Sequence, residues 1–298
     1  MDKNPIGFIG LGRMGGPMAR NLAAAGYPVH VFDVDAAACR RAATQSGITD
    51  HGAPAEVAAQ ATILWSALPN DEIVKQTYLG ERGVLAGGRA GLITCDSSTV
   101  SPEVSVEIHR AARERGITHM DTPMLGSSPQ AESGEIFFIV GGDRDNLPAI
   151  QPLLDVMGRL SMFVGGSGTG NRIKLLHNAL GAVNAVAVAE SLALCAKLGV
   201  DAKTYYEVVK NGGGMAYSTY FDRRVMRMLG GDYSATFTLD LMNKDVALAS
   251  DMAGGNLVHM PILRETLAAY AEAKRQGWGA EDFSAVTHVL EKRFGLKI

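Results

Sequence analysis

Apolar positions along the first half of the chain come in short runs separated by helical patterns. Residues 6–9, 29–32, 62–68, 92–95, 117–120, 136–140 and 160–164 read as strands. The run at 62–68 is continuously apolar, as in a strand covered on both faces. Between the runs, residues 15–25, 102–116 and 147–157 repeat apolar residues at helical spacing. Strands alternating with helices predict a mainly parallel sheet with helices on its faces. The pattern changes after glycines 165, 166, 168 and 170. Residues 171–197 form one long helical stretch interrupted only by Gly181, and helical segments follow at 203–210, 215–229, 239–252, 261–276 and 282–294. The predicted fold is α/β: an N-terminal Rossmann-type doubly wound sheet over 1–165, then an all-helical domain over 166–298, joined by the long helix. That helix, rich in Ala and Val, is long enough to span a membrane. Its sequence is read instead as a helix buried on most sides within a soluble protein.

Composition narrows the class. With 298 residues, 47% apolar and 20% charged, the chain fits an ordinary two-domain globular protein. A formal charge of −3 without a basic stripe argues against nucleic-acid and anionic-membrane partners. Cys39, Cys95 and Cys195 are odd in number and lack metal-ligand spacing, so neither a disulfide framework nor a metal site is expected. The first apolar run carries no basic leader or cleavage site, so a cytoplasmic location is the expectation.

The chemistry begins at the first turn. Gly10-Leu11-Gly12-Arg13-Met14-Gly15 is a G-x-G-x-x-G run that follows a strand and opens a helix. Gly10 suits the tight turn, Gly12 allows a pyrophosphate close to the backbone, and Gly15 permits close helix–strand packing. The helix N-terminus then presents free N–H groups to the phosphates. Asp33 ends the second strand, 18 positions after Gly15. A carboxylate there accepts from a ribose 2′-hydroxyl and repels a 2′-phosphate, so NAD is expected over NADP, although Arg40 and Arg41 follow on the next helix. Leu68-Pro69-Asn70 and Asp96-Ser97-Ser98-Thr99 follow strand ends, where they either touch the nicotinamide ribose or the substrate, or serve only as turns.

Lys174 and Asn178 are four apart on the long helix and share a face. Oxidising an alcohol needs a base for the hydroxyl proton, and a lysine whose pKa is lowered by burial or a neighbouring cation can supply one. Leu175, Leu176, Ala179 and Leu180 suggest that Lys174 lies on a largely buried helix.

These pieces, in this order and over essentially the whole chain, resemble the β-hydroxyacid dehydrogenase family. The carriers are Gly7 through Met18, Asp121-Thr122-Pro123 at the substrate motif, Gly168 through Asn178 as G-x-G-x-x-x-K-x-x-x-N, and Phe237 through Lys244-Asp245. The resemblance implies an NAD(P)-dependent hydroxyacid dehydrogenase or reductase, usually dimeric or tetrameric. It implies Lys174 as the catalytic lysine and Asn178 as a substrate contact. It further implies Lys244 near nicotinamide and substrate, and Leu68, Pro69 and Thr99 along the cofactor. Leu125 stands where the family motif has its serine and Ser127 where a glycine is usual, as in the branch that includes sulfolactaldehyde reductase. Ser127 and Ser128 are then expected to bind the anionic end of a small carboxylate or sulfonate. Imine reduction and a non-catalytic dinucleotide sensor remain alternatives; the retained Lys174 argues against both.

Overall fold

The computed structural model describes residues 3–298; the first two residues of the expected N-terminal domain lie outside it. In chain order the first part holds β1 (Ile6–Ile9), α1 (Gly15–Ala24), β2 (Val29–Phe32), α2 (Ala36–Ala43), β3 (Ile48–Asp50), α3 (Pro54–Gln60), β4 (Ile63–Ser66), α4 (Asp71–Leu79), α5 (Val84–Gly87) and β5 (Ile93–Asp96). It continues with α6 (Pro102–Arg113), β6 (Thr118–Asp121), β7 (Met124–Leu125), α7 (Ser128–Ser133), β8 (Ile136–Gly141), α8 (Leu147–Met157) and β9 (Gly158–Gly165). The strands form one sheet in the order β3-β2-β1-β4-β5-β6-β8-β7, with β9 also on β8. Pairing is parallel from β3 through β6, and β8 runs antiparallel to β6. Strand order reverses between β1 and β4, and in such sheets ligands bind outside the strand C-termini at that point.

Both faces of the sheet are covered, which explains the continuous apolar runs. Phe8 and Trp65 pack on one side with Met18 and Leu22 of α1. Their chain neighbours Ile9 and Leu64 pack on the other side with Val74, Tyr78 and Ile108. Successive side chains of a strand point to opposite faces, so both must be apolar.

The second part holds α9 (Thr169–Lys197), α10 (Ala202–Gly212), α11 (Thr219–Leu229), α12 (Leu239–Ala253), α13 (Pro261–Arg275) and α14 (Thr287–Phe294). Among the described residues after 165 no strand forms, and only a single bridge joins Thr238 and Asp282. Two expected helices begin later than their apolar pattern suggested. Ser218 accepts from Phe221 N–H and caps α11 at Thr219, and residues 283–286 form a 3₁₀ turn ahead of α14. Packing divides the chain between Lys174 and Leu175, so the first turns of α9 belong with the sheet.

The long helix differs from expectation in one respect. Its Leu175, Ala179, Ala182, Ala185, Ala189 and Ala193 are buried against α12 and α13. Leu176, Leu180, Leu194 and Leu198 are exposed. It is therefore not buried on most sides. Small alanines bring one face close to its neighbours, while the leucines form an outward apolar stripe. α9 is also the one helix among the described residues long and apolar enough to cross a membrane.

Candidate active site

The glycine turn after β1 has the shape its sequence demands. Gly10 has φ +88°, and a Cβ there would overlap the carbonyl oxygen of Ala67. A Cβ on Gly15 would overlap the carbonyl oxygen of Gly10 and crowd Phe8. Both positions exclude any side chain on steric grounds. Gly12 is different: it is exposed, and a Cβ there would meet nothing within 4 Å. The backbone at Gly12 is thus open to an approaching group. Met14 begins α1 without a side-chain cap, and no acidic residue sits in the first turn. The leading N–H groups of α1 have no side-chain acceptor capping them, which suits a pyrophosphate. Asp33 braces the turn: Leu11 N–H donates to its Oδ2 at 2.6 Å, and Asp35 N–H donates to Oδ1 at 2.8 Å. Arg40 and Arg41 are exposed, and Arg41 pairs with Asp35 at 3.4 Å. These residues fit a dinucleotide.

The two loops beyond β4 and β5 are tied together from beneath. Asp96, fully buried at the end of β5, accepts from Ser66 Oγ at 2.7 Å and from Ser98 Oγ. Ser98 Oγ in turn accepts from Leu68 N–H at 2.8 Å. Ser97 bonds Trp65 and Thr122 in the interior. Ser97 and Ser98 therefore hold the loops in place, while Leu68, Pro69 and Thr99 are the partly or fully exposed members. Burial pushes the Asp96 carboxyl up to about 6, despite the serine donors. Tyr78, Cys95 and Asp121 are its titratable neighbours. Folding holds this proton more tightly than the unfolded chain does. The resulting stability is complete below about pH 4 and is lost as pH rises through about 6, on the order of 3 kcal/mol in all. Asp96→Asn should remove that difference: denaturation midpoints from pH 4 to 7.5 should slope less steeply than wild type. Parallel slopes would show that Asp96 does not titrate there.

Asp121, at the end of β6, accepts from Gly168 N–H at 2.8 Å and Asn171 N–H at 3.0 Å, at the start of α9. Asn171 is fully buried. Its Oδ1 accepts from Val100 N–H at 3.3 Å, and its Nδ2 donates to Ser105 Oγ at 3.0 Å. Lys174 follows less than one turn later and is 9% exposed. Asn178, one turn beyond Lys174, is also buried and donates through Nδ2 to Asp245 Oδ2 at 2.6 Å. Lys244 Nζ lies 3.1 Å from the other oxygen of Asp245. His177 is exposed and pairs with Asn178 Oδ1 at 3.1 Å.

In the substrate loop, Met124 and Leu125 form β7 and pair with Phe138 and Phe137. Ser127 starts α7 as half of a capping box: its N–H and its hydroxyl both donate to Gln130 Oε1, at 2.9 and 2.6 Å. Ser127 and Ser128 are half-buried.

Asp96, Asp121, Asn171 and Asp245 each fall inside a segment that the sequence singles out, but the sequence assigns none of them the contacts seen here. Several of their partners lie 30 to 71 positions away along the chain, as with Ser66 for Asp96 and Val100 for Asn171. Local pattern carries no trace of such pairings.

A Rossmann sheet with a glycine turn and acidic strand end defines a dinucleotide-binding oxidoreductase, and sequence comparison sharpens this. Residues 5–166 match the family described as the NAD binding domain of 6-phosphogluconate dehydrogenase. Residues 168–290 match the NAD-binding of NADP-dependent 3-hydroxyisobutyrate dehydrogenase. The chain is 33% identical to 2-(hydroxymethyl)glutarate dehydrogenase of Eubacterium barkeri, over 100% of its own length and 99% of the relative's. It is 33% identical to 3-sulfolactaldehyde reductase of Escherichia coli (strain K12), covering 98% and 97%. The solved Mycobacterium tuberculosis 3-hydroxyisobutyrate dehydrogenase with L-serine superposes with a TM-score of 0.88 at 31% identity, covering 97% and 99%. An imine reductase from Bacillus cereus shares the fold alone, at 16% identity and a TM-score of 0.64. The chain belongs to the β-hydroxyacid dehydrogenase family and is an NAD(P)-binding oxidoreductase acting on CH–OH groups.

Proposed function

We propose that the protein is an NAD-dependent dehydrogenase or reductase of a small β-hydroxy acid or its semialdehyde, with Lys174 as general acid/base. The observation that carries this reading is the burial of Lys174, less than one turn after Asn171, whose N–H is fixed to Asp121 of the dinucleotide-binding unit. Gly10 through Gly15, Asp33, Leu68, Pro69 and Thr99 would hold the cofactor. When bound, its nicotinamide supplies the hydride acceptor or donor. In the oxidative direction the neutral amine of Lys174 takes the hydroxyl proton as the carbinol carbon gives up its hydride. In the reductive direction the ammonium returns a proton to the carbonyl oxygen. Asn178 orients the substrate oxygen with the amide hydrogen that Asp245 does not use. Turnover is tested by mixing the protein with NAD and a panel of three- to five-carbon hydroxy acids, including a sulfonate, and following absorbance of reduced cofactor. Tight NAD binding with no turnover on any member would favour a sensor.

Asp33 supports NAD over NADP. The similarity to sulfolactaldehyde reductase, together with Leu125 in place of the motif serine, supports a carboxylate or sulfonate held by Ser127 and Ser128. Replacing both serines with alanine should raise KM more than it lowers kcat; an unchanged KM would remove that role. The exposed leucine stripe on α9 supports a homodimer or homotetramer, which sedimentation velocity reads directly. The buried, free cysteines support a reducing, cytoplasmic setting.

A further inference from the structure

The start of α9 is held by more polar contacts than a helix end needs. Asp121 has no exposed surface, yet its two oxygens accept from separate backbone N–H groups of the α9 start, Gly168 and Asn171. The surrounding chain is cut back to admit it. A Cβ on Gly141 would come within 2.7 Å of Asp121 Oδ1, and one on Gly170 within 2.7 Å of Oδ2. Burial raises the carboxyl's pKa, and the N–H groups of the α9 start oppose that rise. Asn171 adds a second tether, from the same helical turn to Val100 ahead of α6 and to Ser105 within it. Asp121 has no surface open to a ligand and both its oxygens are engaged by the backbone, so direct substrate binding is a poor use of it.

We propose that Asp121 is a positioning residue for Lys174: it clamps the first turn of α9 to the end of β6 and so sets where the Lys174 amine stands relative to the loops after β4 and β5. Asn171 completes the clamp from the side of β5. The inference rests on the proton-transfer role proposed for Lys174. A misplacement of about 1 Å in a reacting group costs on the order of 100-fold in rate, so a loosened first turn acts on turnover before it acts on affinity.

The test compares Asp121→Asn, Asn171→Ala and Lys174→Ala in the full chain, using NADH fluorescence titration, thermal melting and kcat across pH. The asparagine keeps the size of Asp121 but offers one acceptor and no charge. Both clamp variants should lose about 10- to 100-fold in kcat while the Kd for NADH stays within about twofold. The kcat–pH profile of Asp121→Asn should also shift, because a loosened first turn of α9 changes the surroundings that set the protonation of Lys174. A purely structural role would lower the melting temperature and leave kcat and its pH profile intact in the folded protein; that result overturns the proposal. If Asp121→Asn does not fold, Asn171→Ala carries the same comparison, and a kcat within threefold of wild type overturns it. Turnover surviving in Lys174→Ala would instead remove the reading beneath, whatever the clamp variants do.

Discussion

Lys174→Ala will lower kcat by about 100- to 10,000-fold, the usual worth of a positioned general acid or base. The loss will leave NAD binding close to wild type, because the glycine turn, the free α1 N-terminus and Asp33 are all remote in sequence from position 174 and do not depend on it. Lys174→Arg will not rescue the rate: a guanidinium stays protonated and cannot accept the hydroxyl proton. Steady-state kinetics with a hydroxy acid found by the panel, combined with NADH titration, checks both halves. Equal losses in kcat and in NADH affinity would mean that the residue supports the cofactor rather than the proton transfer.

The second large effect is expected at Asp33. Its carboxylate braces Leu11 of the glycine turn and stands at the end of β2, where the adenosine ribose is recognised in Rossmann domains. Asp33→Ala will weaken NADH binding by about 10- to 100-fold, the equivalent of losing a charge-assisted hydrogen bond together with the brace. NADPH should lose less, because the same change removes repulsion against a 2′-phosphate, and exposed Arg40 stands on the next helix. The ratio of the two dissociation constants should therefore move toward NADPH. Fluorescence titration of both cofactors measures it; a wild-type chain that already binds NADPH more tightly would contradict the preference for NAD.

How much of this was legible in the sequence depends on whether the signal is local. β1 and the run of β4 were readable because a strand covered on both faces is largely apolar, and β2 because its apolar residues fall shortly after Gly26 and Pro28. The turn at Gly10–Gly15 was readable because its steric demands admit no other residue at two positions. β7 was not, since two residues carry no periodicity and owe their conformation to Phe137 and Phe138 across the pair. The outward face of α9 was also hidden. A helix of alternating Ala, Val and Leu has apolar residues on every side, so composition cannot say that Ala182 is covered while Leu180 is bare. Lys174 and Asn178 could be paired by their spacing, but not the groups that hold them. Asp121 and Asp245 reach the helix from β6 and α12, and only the assembled chain brings a carboxylate to an N–H or amide so distant in sequence.

A crystal structure of the chain with NAD and a hydroxy acid from the panel tests the central claim most directly. The Lys174 Nζ should stand at hydrogen-bond distance, about 3 Å, from the substrate's reacting oxygen. An amine turned to bulk solvent, with the reacting oxygen held by other groups, would contradict it.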